Sequence, residues 1–247
     1  MESGKQLLMT MTGEMHQPVR LYYEVDDQAA VLHALTKLRC LDDDQDNHRW
    51  VWLYHGEAKK LKFHKSYAAI PRQMRPIILG VFRFPSAQDM TLDVRSCERA
   101  THAVVFFDRY LKRSIARVTH AAIVNRLFPA TAEGLPDLEA LFAPDQVTAI
   151  DGEAMLRRAV ASLQTIQDPQ QRLDMAFALI AQPAHAPLPE VEQFPVHFYT
   201  DGIQSFETTL RLRQIVAFEH WRGHTTCTLG EVIQKVTAGV SAVDLAP

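Results

Sequence analysis

The run Arg49-Trp50-Val51-Trp52-Leu53-Tyr54 places a large ring at every second position, a period that only an extended strand satisfies. Upstream, Pro18-Val19-Arg20-Leu21-Tyr22-Tyr23-Glu24-Val25 alternates in the same way and reads as a second strand. Asp26 and Asp27 can cap a helix that carries Val31, Leu32, Leu35 and Leu38 at helical spacing. Between helix and strand, Leu41-Asp42-Asp43-Asp44-Gln45-Asp46-Asn47 is acidic enough to predict a surface turn. Downstream, Ile77–Phe84 predicts a further strand ended by Pro85, and Met90–Val94 a short fourth one. Ser96 is placed to cap a helix with Ala103, Phe106, Phe107, Tyr110 and Leu111 on one face. A further helix is expected over Ile115–Phe128, stopped by Pro129. The order β-α-β-β-β-α-α implies an α+β fold, a mainly antiparallel sheet with helices on one face.

Residues 129–151 hold Pro129, Pro136 and Pro144 among several acids. They read as an acidic linker with one short helix at Leu138–Phe142. Beyond it the chain is predicted to be mostly helical. Met155, Leu156, Ala159, Val160, Leu163 and Ile166 form one apolar stripe, and Leu173, Ala176, Phe177 and Ile180 a second, with a break at Asp168-Pro169. The four prolines of residues 182–195 require extended or irregular backbone. Val196-His197-Phe198-Tyr199 reads as a short strand, and Ile203–Trp221 as a long helix ended by Gly223. The expected division is an α+β domain at 1–128, the linker at 129–151 and a mainly helical region at 152–247.

The chain has 247 residues, 47% hydrophobic and 22% charged, values that exclude a largely disordered, collagen-like or coiled-coil protein. No apolar run approaches the roughly 18 residues of a membrane span, and no signal peptide is legible. Cys40, Cys97 and Cys227 are odd in number and widely spaced, which fits a reducing, cytoplasmic setting. The net charge of −3 divides unevenly. Residues 1–128 carry 19 Lys and Arg against 14 Asp and Glu, whereas residues 129–247 carry 7 against 15. Such a split points to different partners, or to two halves that attract each other.

Three groups of residues are candidates for function. Lys59, Lys60, Lys62, Lys65, Arg72 and Arg75 lie in a stretch, Ala58–Gln88, that has no acid at all. Beside them, Trp50, Trp52 and Tyr54 share one sheet face. Exposed rings next to cations would stack the bases of single-stranded RNA; covered by helices, the same rings are core. Arg109, Lys112, Arg113 and Arg117 make a second basic cluster, which either joins the first in one positive surface or simply suits a helix end. His220, His224 and Cys227 have metal-like spacing, but Gly223 interrupts them and no fourth ligand is indicated, so no metal site is expected. The proline-rich Gln182–Pro189 serves as a spacer or as a ligand for an aromatic groove.

Phosphate-loop, dinucleotide and nucleophile-elbow patterns are absent, and no cofactor is implied. Tyr54-His55-Gly56-Glu57 is the tetrapeptide with the most acid–base character. Taken as whole strings, Arg49–Glu57, Ser66–Phe84 and Thr91–Tyr110 resemble a family of uncharacterised cyanobacterial proteins. The resemblance spans the first half only and implies a bacterial cytosolic setting, without an activity or a functional residue.

The expectation is a non-enzymatic binding or assembly protein that recognises an acidic protein partner. Its surface would be Lys59, Lys60, Lys62, Lys65, Arg72 and Arg75, supported by Arg109, Arg113 and Arg117. The alternatives are an RNA-binding protein using Trp50, Trp52 and Tyr54, and a hydrolase or transferase whose site leaves no local motif.

Overall fold

A computed structural model of the chain describes residues 6–131, 135–150, 152–164, 166–173, 175 and 184–243. The first alternating run forms strand β1 (Val19–Val25), with Val19, Leu21, Tyr23 and Val25 buried on one face and Arg20, Tyr22 and Glu24 on the other. Asp27 caps helix α1 (Gln28–Thr36) by accepting from the Ala30 amide at 2.9 Å. Strands β2 (Leu41–Asp44), β3 (Arg49–Leu53), β4 (Ile78–Arg83) and β5 (Asp89–Val94) follow. Ser96 then caps α2 (Cys97–Asp108), accepting from the Arg99 amide at 3.2 Å. The rest of the described chain supplies β6 (Ala116–Val124), α3 (Leu138–Leu141), β7 (Val147–Ala149), α4 (Gly152–Gln164) and β8 (Val191–Pro195). It ends with α5 (Phe198–Asp201), α6 (Ile203–Trp221) and α7 (Leu229–Val243).

Among the described residues these strands make one eight-stranded sheet in the order β2-β3-β4-β5-β1-β6-β8-β7. Every neighbouring pair is antiparallel except β7 with β8. The architecture is therefore α+β, a mainly antiparallel sheet followed by a mostly helical region. Helices α1, α2 and α6 cover one face, where Val31, Leu35, Phe106, Phe107, Phe206 and Leu210 close the main core. The opposite face is polar at its centre. Arg20 meets Asp93 through two hydrogen bonds of 2.6 and 2.9 Å, and Arg83 reaches the same carboxylate at 3.0 Å. Residues 137–142 lie over this pair: Glu139 is bonded to Arg83 at 2.7 Å, and Phe142 is buried with Ala122, Val124 and Phe128. No helix among the described residues is long and apolar enough to cross a membrane.

Three expected elements are corrected. The acidic turn contains an edge strand, β2, paired antiparallel to β3. Its aspartates stay at the surface, because an edge strand tolerates charge and is protected by it from pairing with other chains. The expected helix over Ile115–Phe128 is strand β6. It lies between β1 and β8 with Ala121, Ala122, Ile123 and Val124 all fully buried, so both of its faces are apolar and the two-residue alternation disappears. Val196–Tyr199 is not the strand expected there: β8 precedes it at Val191–Pro195 and Phe198–Asp201 forms helix α5, because a four-residue apolar run is too short for its period to decide between strand and helix. The Val196 amide donates to Thr119, so the Pro195 nitrogen faces the other way, past the end of β7, and withholds no ladder bond.

The expected linker also holds more than its short helix. It contributes β7, and with β8 it extends the sheet across the boundary placed at 128. Helix α4 matches the first C-terminal stripe. The second stripe lies outside the described residues apart from Leu173.

Candidate functional site

The basic segment His55–Ile77 joins β3 to β4 through three short 3-10 turns, Gly56–Lys60, Tyr67–Ala69 and Arg72–Met74. Its backbone is tied down from several sides. The Tyr54 hydroxyl donates to the Leu61 carbonyl at 2.9 Å and accepts from the Tyr67 amide at 3.1 Å. The Lys65 amide donates to Thr12, and imidazole nitrogens of His64 and His102 lie 2.8 and 2.9 Å from the carbonyls of Gly13 and Lys62. Phe63 packs edge-on against Tyr54 and His102. From this frame Lys59, Lys60, Lys62, Lys65 and Arg72 project into solvent, and none forms an ion pair with a described carboxylate. Arg75 differs from them. It donates to the carbonyls of Ile70 and Ala68, and like the Lys59 ammonium it sits over the Tyr67 ring. Its charge fastens the loop.

The second basic cluster does not join the first. Leu53 pairs with Ile78 at one end of the sheet, whereas Ala116, just before Arg117, pairs with Val25 at the other. The 12 residues of α2 lie between them, about 18 Å of helix. Two of the cluster's cations are already matched. Arg113 makes two 3.0 Å bonds to Asp108, and Arg117 bonds Glu24 at 2.9 Å; Arg109 is exposed.

Trp50, Trp52 and Tyr54 share one face as their spacing requires, but that face is the helix-covered one. Trp52 is fully buried, its ring 5.6 and 5.1 Å from those of Phe106 and Phe107. Trp50 is 9% exposed and Tyr54 1%. The rings are core, and base stacking on them is ruled out. In Tyr54-His55-Gly56-Glu57 the carboxylate accepts from the Cys40 amide and from Arg39, so it closes a turn. His220 lies 2.8 Å from the Cys227 carbonyl and His224 2.6 Å from Glu219, each with its own partner. Among the described residues no group of three His, Cys, Asp or Glu side chains is arranged to hold a metal ion. Burial pushes the Cys40 thiol up to about 12 and the Cys97 thiol well above its usual range, so neither is a ready nucleophile.

Sequence reasoning missed a cleft beside the basic loop. Residues 9–16 fold back on themselves around Gly13, whose φ is +95°, with Met9 bridged to Met15. Thr10, Thr12, Glu14 and His16 point inward and are buried, while Met9 and Met11 are 46% and 44% exposed. Inside, Glu14 accepts from the hydroxyls of Thr10 and Thr12. Arg99, 1% exposed, donates to Thr12 at 2.7 Å and to the Ile78 carbonyl at 3.1 Å, with Glu14 at 3.7 Å. Burial lowers the Arg99 pKa to about 10, against the pull of Glu14, so it stays charged at neutral pH. Burial and then the charges of Arg95 and Arg99 hold His16 down to about 4. Of these groups Thr10, His16 and Arg99 line, with Arg95, a cavity of about 510 Å³ whose apolar wall includes Leu8, Met9, Met11, Met74, Ile77 and Ile78. The legible signal was the alternation of Met9, Met11 and Met15 with polar residues, interrupted by Gly13, which marks extended backbone around a turn but not which side it buries.

The chain matches no protein-family model, and comparison with curated proteins and with solved structures gives no match.

Proposed function

We propose that the protein is a non-enzymatic binding protein that engages an acidic protein partner through the loop His55–Ile77. The observation that supports this reading is the set of five exposed cations, Lys59, Lys60, Lys62, Lys65 and Arg72, left unpaired on a backbone fixed by the surrounding fold. Among the other described cations of the first half, Arg20, Arg39, Arg49, Arg83, Arg113, Arg117 and Arg126 each meet a carboxylate. Arg20 and Arg83 pair with Glu139 and Arg126 with Glu190, so the acidic second half is held by other arginines than those of the loop. A rigid array of unpaired charge steers and orients a complementary surface without prior ordering of the loop. A protein fits better than single-stranded RNA, because the rings beside the loop are buried or lie under Lys59 and Arg75.

The test is fluorescence anisotropy with a labelled glutamate-rich peptide and a labelled single-stranded oligonucleotide of equal charge. Saturable, salt-sensitive binding of the peptide is expected, weakened at least about tenfold by Lys60→Glu, Lys62→Glu and Lys65→Glu together. Each change alters stability by only about 0.5 kcal/mol, since the side chains are exposed. Equal peptide binding by the reversed variant removes the reading. Preference for the oligonucleotide replaces it with nucleic-acid recognition.

A further inference from the structure

The turn at residues 9–16 inverts the usual arrangement of a surface segment. Its polar side chains are buried and its methionines face outward, where Met9, Met11, Met74 and Ile78 stand 43–46% exposed around one cleft. An apolar rim of this kind is stabilised by a cover of similar chemistry, and methionine adapts to irregular apolar shapes. The floor asks for the opposite. Arg95 lines the cavity half-buried, and its guanidinium has no hydrogen-bond or ion-pair partner among the described residues. His16 is 1% exposed, and its Nε2 has no hydrogen-bond partner. Arg99 completes the floor but is already engaged by Thr12, two carbonyls and, at 3.7 Å, Glu14. A half-buried guanidinium without a counter-ion and a buried imidazole nitrogen without a partner are both costly states, and an anion relieves them together.

We propose that this cleft is a binding site for an amphiphilic carboxylate, with its head on Arg95 and His16 and its saturated tail along Met9, Met11, Met74 and Ile78. A carboxylate fits the single unpaired guanidinium, which can meet it through two parallel hydrogen bonds. The fixed carboxylate of Glu14 beside Arg99 disfavours a second negative charge on the ligand. The cavity of about 510 Å³ lies in the range of small-molecule sites. The proposal is independent of the partner of the basic loop, because Met74 and Ile77 line the cavity whereas Lys59, Lys60, Lys62, Lys65 and Arg72 are exposed and do not.

Isothermal titration calorimetry of the full chain with octanoate, 1-octanol and acetate separates the contributions of head and tail. Octanoate is expected to bind in a one-to-one complex, at least about tenfold more tightly than either of the others, since one charged hydrogen-bonded pair accounts for 1.4 kcal/mol or more. Arg95→Gln should weaken octanoate about tenfold and leave octanol unchanged. Met11→Gln, at an exposed rim position where folding is not at stake, should weaken octanoate and spare acetate. No octanoate binding, equal binding of octanol, equal binding of acetate, or indifference to both substitutions overturns the proposal.

Discussion

His16 is an imidazole in a place that suits only its neutral form. Burial, reinforced by Arg95 and Arg99, holds it down to about 4, against about 6.5 in an unfolded chain. The unfolded state therefore binds the extra proton between those values, and stability rises with pH across that window. The contribution is complete above about pH 6.5 and is lost as the pH falls toward 4. From pH 7 to pH 5 the loss amounts to about 2 kcal/mol. His16→Gln cannot take up that proton. Urea unfolding at the two pH values should show a drop in the wild type that exceeds the drop in the variant by about this amount. Equal drops would mean that His16 titrates normally in the fold. No residue-type rule locates this group, because a histidine and a glutamate within a short segment beside threonines suggest surface. Only the fold brings Arg99, from α2, underneath Thr12 and Glu14.

Elements were legible where the signal is local. Asp27 and Ser96 cap their helices by the bonds that their spacing predicts, and Gly223 ends α6 at the expected place. There the Gly223 amide donates to His220 and the His224 amide to Glu219, a Schellman pair that needs left-handed backbone, and Gly223 has φ +100°. Nothing crowds its Cα, so Gly223→Ala tests backbone conformation alone. It should destabilise the protein by about 1 kcal/mol, read as a lower midpoint in urea with an unchanged slope. No change would mean that the turn adopts another geometry without cost. Strand β6 was not legible, because its identity depends on β1 and β8 covering its edges and on two cores covering its faces. The same holds for the rings of β3. Their period placed them on one face, and whether helices or solvent covered that face lay outside the segment.

At the scale of the molecule, the expected boundary at 128 runs through a sheet that both sides build. β6 takes β8 as its second neighbour, and Phe194, Val196, Phe206 and Leu210 from beyond the boundary are buried in the main core. Arg20, Arg83 and Arg126 reach across to Glu139 and Glu190, so part of the opposite charge of the two halves is spent in joining them. A fragment of residues 1–128 would keep the five cations and the cleft residues from Leu8 to Arg99. It would also bare one edge of β6 and an apolar face normally covered by α6. An uncovered edge and lost burial of four large side chains, each about 1.5–3 kcal/mol, exceed the margin of an ordinary domain. The fragment should therefore aggregate or melt without a cooperative transition, while the full chain unfolds in one step by circular dichroism and tryptophan fluorescence alike. A cooperative transition in the fragment would show instead that the first half carries its own fold and that the second half merely extends the sheet. The basic loop and the cleft would then be properties of a detachable unit. With a common core, occupation of the cleft stabilises both halves at once, because ligand that binds only the folded state adds to the stability of everything that unfolds with it.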